Sequence, residues 1–156
     1  MKTILLPSDF SMESIQVAET VVRESSEDLR LVFTHLFHVA DDIQDLLFSS
    51  YREKEYELVP EEFYHECRIL KDLYSKKLLS IKVAFYYGNK LASFKNFLDY
   101  HQADCIAYSE SYGIPKLKKS SIEALPVLKK CGLPLLNTDL IADSALFTAG
   151  GISGSK

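Results

Sequence analysis

Lys2-Thr3-Ile4-Leu5-Leu6-Pro7-Ser8-Asp9-Phe10-Ser11 is the stretch on which the reading of this 156-residue chain turns. Ile4-Leu5-Leu6 is too short for a helix and apolar enough for a buried strand. Pro7 has no N–H to give to a ladder and marks the end of that strand. Ser11 stands before Ile15, Ala18, Val21 and Val22, which recur at helical spacing, so it takes the position of an N-cap. Strand, acidic turn and helix make the first βα unit of an α/β domain. In open α/β sheets ligands bind beyond the carboxyl ends of the strands, where Asp9 lies. Asp9 is therefore either a ligand-facing residue or a turn residue that caps the helix.

Outward from that unit the pattern repeats. The first helix is expected over 12–23, and a strand over 29–39 that is apolar on both faces and hence central. His35 and His38, three apart in that strand, point to opposite faces, so they form no joint metal pair and read as hydrogen-bonded sheet histidines. A short helix over 42–48 and an irregular connection over 49–60 follow. A longer helix starts at Pro60, with Glu61 and Glu62 suiting its dipole and Phe63, Cys67, Leu70, Tyr74 and Leu78 marking its buried face. Lys76 and Lys77 fit its C-terminal end. Then come a strand over 81–87, a helix over 91–102, a strand over 104–108, a helix over 121–130 stopped by Gly132, and a strand over 134–137. Pro126 inside the last helix means that it starts late or kinks. Ile4, Leu6, Val32, Leu36, Val83, Phe85 and Ile106 are the expected sheet core. The domain is expected to span 1–140, with 141–156 a flexible tail of small residues. The β-α alternation implies a parallel sheet with right-handed crossovers and helices on both faces.

Composition sets the bounds. Apolar residues make up 47% and charged ones 26% of the chain, ordinary globular values, and the net charge of −4 gives no reason to expect nucleic-acid binding. Residues 41–66 hold nine acids against two bases, and residues 67–134 twelve bases against five acids, an asymmetry of solvated faces. Cys67, Cys105 and Cys131 form no CxxC pair, which fits a reducing compartment. The start of the chain lacks a signal peptide's apolar core, and no run reaches membrane-spanning length. The expectation is a cytoplasmic protein with no membrane partner. No P-loop, nucleophile elbow or zinc spacing occurs, Cys105 reads as core, and no catalytic constellation emerges.

The opening Ile4-Leu5-Leu6-Pro7-Ser8-Asp9-Phe10-Ser11-Met12-Glu13-Ser14 resembles that of the universal stress protein family, which begins with a strand, Pro-x-Asp and a Ser-rich helix start. His38-Val39 is similar to that family's second strand ending in His-Val, and Tyr87-Gly88 falls where it has a strand followed by Gly. Ala103-Asp104-Cys105-Ile106-Ala107 resembles its Ala-Asp-Leu-Ile-Val strand. Cys131-Gly132-Leu133-Pro134-Leu135-Leu136 resembles its closing Cys-Pro-Val-Leu run, displaced by about a residue. The resemblance covers nearly all of 1–137. It implies a three-layer α/β/α domain with a five-stranded parallel sheet of order 3-2-1-4-5, the adenine nucleotide alpha hydrolase-like fold, and a homodimer formed through the last strand.

The resemblance also implies a nucleotide crevice between the first and fourth strands, lined by Pro7, Asp9, Val39, Ser109, Gly113 and Ser121. Nucleotide-binding members carry Gly-x2-Gly-x9-Gly-Ser/Thr after the fourth strand, so that backbone amides approach the phosphates before a helix N-terminus. Here only Gly113 survives of those glycines, and Ser109 and Ser120 or Ser121 stand where others belong; a Cβ there obstructs close backbone approach. Glu110 adds charge that repels a phosphate, whereas Lys116, Lys118 and Lys119 could hold an anion or form a solvated basic loop. The expectation is a non-enzymatic stress-response or regulatory protein with a degraded nucleotide loop and no cofactor beyond weakly held ATP or AMP. The alternative is a sensor that binds ATP or AMP through an altered loop.

Overall fold

The computed structural model describes residues 1–38 and 53–141. Its strands are β1 (Lys2–Pro7), β2 (Leu29–Phe37), β3 (Leu78–Tyr87), β4 (Cys105–Tyr108) and β5 (Leu135–Asn137). Its α-helices are α1 (Met12–Glu24), α2 (Glu61–Leu73), α3 (Leu91–Tyr100) and α4 (Ala124–Lys130), with a 3-10 helix over Glu53–Leu58. The sheet order is β3-β2-β1-β4-β5 and every pairing is parallel, the topology expected. Between β1 and β4 the connection reverses direction across the sheet, the place where open α/β sheets bind ligands.

Strand alternation builds two cores. Ile4, Leu6, Leu31, Phe33 and Cys105 face one side, packed with Ala18 and Val22 of α1 and Phe63, Cys67 and Leu70 of α2. Their neighbours in sequence, Leu5 and Ile106, face the other, packed with Phe94 and Leu98 of α3 and Leu128 of α4. Period two along a strand delivers this division directly. Ile4, Leu6, Val32, Leu36 and Ile106 are buried as expected. Val83 and Phe85 are only half-buried, contrary to expectation, because β3 is an edge strand with one neighbour.

Other expectations need correction. The helix starting after Pro60 ends at Leu73, so Leu78 opens β3 rather than closing α2. Lys77 serves a different helix from the one expected. Its Nζ donates to the carbonyls of Val22 (2.8 Å) and Arg23 (3.4 Å), satisfying the C-terminal end of α1. The last helix starts late, at Ala124, which puts Pro126 in its first turn, where its missing N–H costs nothing. Gly132 takes φ +90° just beyond that helix, as a stop requires. Part of the connection expected to be irregular is the 3-10 helix, while the short helix expected over 42–48 lies outside the described residues. Residues 138–141 are helical, and the rest of the expected tail also lies outside them.

Candidate functional site

The end of β1 is the hub of the site. Ser11 is the N-cap residue of α1, as its position suggested, but its side chain makes no capping hydrogen bond. The turn is held from within instead. Ser8 Oγ accepts from the Phe10 amide (2.7 Å) and bonds Ser14 Oγ (2.8 Å), while Ser14 Oγ donates to the Ser11 carbonyl (2.8 Å). Phe10 sits at φ +63°, in the left-handed region that a bulky side chain rarely occupies, and is buried against Phe63 and Phe85. The aromatic packing holds that conformation in place.

Asp9 faces another side chain. Its Oδ1 accepts from the Ser11 amide (3.2 Å), an Asx turn, and from the Tyr112 hydroxyl; the Asp9 amide in turn donates to that hydroxyl oxygen at 2.7 Å. Burial, reinforced by the Asp9 carboxylate, raises the Tyr112 phenol above its ordinary range and keeps it a donor. Tyr112 belongs to the loop after β4, so a phenol from β4's side reaches the turn after β1.

The loop after β4 is tied down along its length. Ser109 is buried, and its Oγ donates to Asp139 Oδ1 at 2.6 Å. Asp139 Oδ2 accepts from the Ser111 amide (2.9 Å), and its Oδ1 from Ser111 Oγ (2.9 Å). These donors, Ser109 Oγ foremost, hold the Asp139 carboxyl below the usual range, so it stays ionised beside the loop. The Tyr112 amide donates to Ser109 Oγ (3.1 Å) and the Gly113 amide to the Ser109 carbonyl (3.1 Å). Gly113 takes φ +73°, the conformation glycine supplies there.

Further along, the same loop is stitched to β2. The His38 amide donates to the Ser120 carbonyl (2.7 Å) and the Ile122 amide to the Leu36 carbonyl (2.8 Å), flanking an antiparallel bridge between Phe37 and Ser121. Ser121 is buried, and its Oγ accepts from the amides of Leu117 (3.1 Å) and Lys118 (3.2 Å). The buried His35 completes the knot, with Nδ1 at 2.7 Å from the Ser8 carbonyl and Nε2 at 2.7 Å from Ser121 Oγ. A carbonyl only accepts, so Nδ1 donates to it, and Ser121 Oγ, already accepting from two amides, donates to Nε2. Ser121 thereby uses one donor and both acceptor sites. His35 is the hydrogen-bonded sheet histidine expected, while the exposed His38 lies just past β2, with Nδ1 3.1 Å from Asn89 Oδ1.

Of the expected site residues, Asp9 after β1 and Ser109 after β4 are both tied to Tyr112. Pro7 is buried at the end of β1, in register with Thr34. Ser121 is buried, its hydroxyl turned inward to His35 where the chain after Lys118 pairs with β2. Gly113 is exposed, and Val39 lies outside the described residues. In this loop the Lys118 Nζ lies 5.5 Å from the Phe37 ring centroid. Sequence reasoning missed Asp139 and read Tyr112 only as one of several tyrosines for ring stacking or surface cover, not as the partner of Asp9. Tyr112, between Ser111 and Gly113 in a loop where glycines are expected, was the available signal; Asp139 had none.

The cysteines read as core. Burial pushes the Cys67 thiol up to about 12 and raises Cys105, so both remain protonated and inert. Among the described residues no cluster of three or more His, Cys, Asp or Glu side chains could hold a metal. No described helix is long and apolar enough to cross a membrane.

No family model and no curated protein matches the sequence. Solved structures do match. The hypothetical protein PH0823 is 15% identical with a TM-score of 0.51, over 87% of this chain and 94% of that one. The hypothetical protein MJ0577 is 17% identical with a TM-score of 0.50, over 87% and 94%. Universal stress protein UspA from Lactobacillus plantarum is 11% identical with a TM-score of 0.50, over 87% and 96%. The fold is that of the universal stress proteins. At these identities the likeness establishes architecture, and function rests on the site itself.

Proposed function

We propose that this chain is a non-enzymatic, universal stress protein-like protein of the stress response, regulatory in role, whose nucleotide loop is degraded and which works without a resident cofactor. The observation that carries this reading is the fate of the loop amides. A phosphate cradle needs several backbone N–H groups aimed at one empty point. Here the amides of Ser111, Tyr112, Gly113, Leu117, Lys118, Ser121 and Ile122 all have partners within the protein. Asp139 takes the place an anion would take toward Ser111, and its charge, with that of Glu110, opposes a second anion. The Tyr112–Asp9 contact occupies the polar group that would otherwise face a ribose. As arranged, these residues do not fit a nucleoside triphosphate.

Calorimetric titration with ATP and with AMP is expected to give dissociation constants weaker than about 1 mM, or less than about 4 kcal/mol of binding free energy. Binding in the low micromolar range, lost in Asp9→Ala, would overturn this reading in favour of a nucleotide sensor of altered loop.

The working unit we infer is a cytoplasmic homodimer paired through residues 133–140. Three free, buried cysteines suit a reducing compartment. β5 is an open sheet edge, and Leu135 and Leu140 are exposed on and just beyond it. Light scattering at micromolar concentration is expected to give twice the monomer mass. A monomer there, or a dimer unaffected by Leu140→Asp, would remove this interface.

A further inference from the structure

A cavity of about 250 Å³ opens at the C-terminal ends of β2 and β3, on the face covered by α3 and α4. None of its lining residues takes part in the Asp9–Tyr112–Asp139 closure. Its edge is set by the bridge between Phe37 and Ser121, each followed by a lining residue, His38 and Ile122. Its size lies just under the range of about 300–1,000 Å³ that holds drug-sized ligands, which suits a metabolite-sized occupant.

The chemistry of the walls is divided. Tyr86, Leu91, Ile122, Pro126 and Val127 supply an apolar interior, while His38, Lys90 and Lys130 stand at its rim, and among the described residues no acidic side chain lines it. Tyr86 contributes its ring to the interior because its hydroxyl is engaged elsewhere, donating to the Lys90 carbonyl at 3.2 Å and meeting Ser93 Oγ. Gly88 makes that arrangement possible, since a Cβ there would overlap the Tyr86 hydroxyl and Ser93 Oγ. The chain as a whole carries −4, so its overall field does not attract anions and a basic rim around an apolar hollow is a local feature. A neutral apolar ligand would leave the lysines unused, and a bare inorganic anion would leave the apolar walls wet.

We propose that this cavity is a binding site for a small organic carboxylate with an aromatic or branched apolar body, the body lodged between Tyr86, Ile122 and Val127 and the carboxylate held at the rim by Lys90 and Lys130. The site stands apart from the nucleotide question, because of the loop residues discussed above it shares only Ile122, whose amide is taken by the Leu36 carbonyl.

Indole-3-acetate and its uncharged counterpart indole-3-acetamide are suitable probes, titrated into the full chain and followed by amide resonances. Indole-3-acetate is expected to bind with a dissociation constant below about 1 mM, with shifts concentrated at 88–91 and 122–130. The acetamide should bind at least tenfold more weakly. Lys90→Glu with Lys130→Glu, both at exposed positions, should cost the acetate tenfold or more while leaving the acetamide unaffected. Val127→Trp should fill the hollow and abolish both; if it does not fold, the lysine variant still decides. No shifts up to 10 mM probe, equal binding of acid and amide, or shifts centred on Asp9 and Tyr112 would each overturn the proposal.

Discussion

Phe63→Ala is expected to lower the free energy of unfolding by about 3–5 kcal/mol, the range for truncating a fully buried aromatic side chain. Phe63 projects from α2 with no solvent exposure and meets Phe33 of β2 edge-on at 4.9 Å between centroids, and Phe10 at 5.3 Å. Such edge contacts add to the area term. The loss should also reach the site, because Phe10 is held at φ +63° by its packing and Asp9 precedes it. Chemical denaturation measures the first effect, and the exchange rate of the Phe10 amide, which bonds Ser8 Oγ, reads the second. Ile69→Ala on the exposed side of the same helix should stay within about 0.5 kcal/mol. Losses of similar size for the two variants would mean that α2 does not dock as described.

The fold was readable because its signals are local and repeated. Ile4-Leu5-Leu6 before Pro7 named a strand, and period two within it then split Ile4 and Leu6 from Leu5 into opposite cores. The order of the strands was not written in any period; it came with the resemblance, and the structure agrees with it. Boundaries failed where one residue could continue two patterns. Leu78 keeps the helical spacing of Phe63, Cys67 and Leu70, yet it opens a strand, because Tyr74 ends α2 and the chain must turn back to pair with Leu29. Val83 and Phe85 have the composition of central-strand residues, and only topology says that β3 is an edge. Lys77 had the right chemistry for a helix C-terminus, but which helix it serves depends on how α1 lies across the turn after α2.

The site was half legible for the same reason. The absence of glycines at Ser109 and Ser121 was visible, and it fits a loop whose amides bond inward. What replaces a ligand there was not visible. Asp139 reaches Ser109 and Ser111 across 30 and 28 residues, and Tyr112 reaches Asp9 across 103, contacts that exist only once β1, β4 and β5 lie side by side. That Ser121 bonds His35 was not visible either, because residues 120–122 pair with the end of β2, a tertiary choice that no propensity records.

His35→Leu is the second change expected to be severe, at roughly 2–5 kcal/mol, since each buried polar group left without its partner costs about 1–3 kcal/mol. His35 spans from the Ser8 carbonyl to the Ser121 hydroxyl, and leucine fills similar space while offering neither nitrogen. The Ser8 carbonyl loses its donor, and the Ser121 hydroxyl loses the acceptor for its proton. Ser121→Ala should cost about 1–3 kcal/mol by the same rule, because the amides of Leu117 and Lys118 lose their acceptor as well. If the three groups act as one network, the double variant should be less damaging than the sum of the singles by at least about 0.5 kcal/mol, as for residues in direct contact. Strict additivity in denaturant titrations would show that His35 and Ser121 act separately, and that the loop after β4 is held to β2 by its backbone bridge alone.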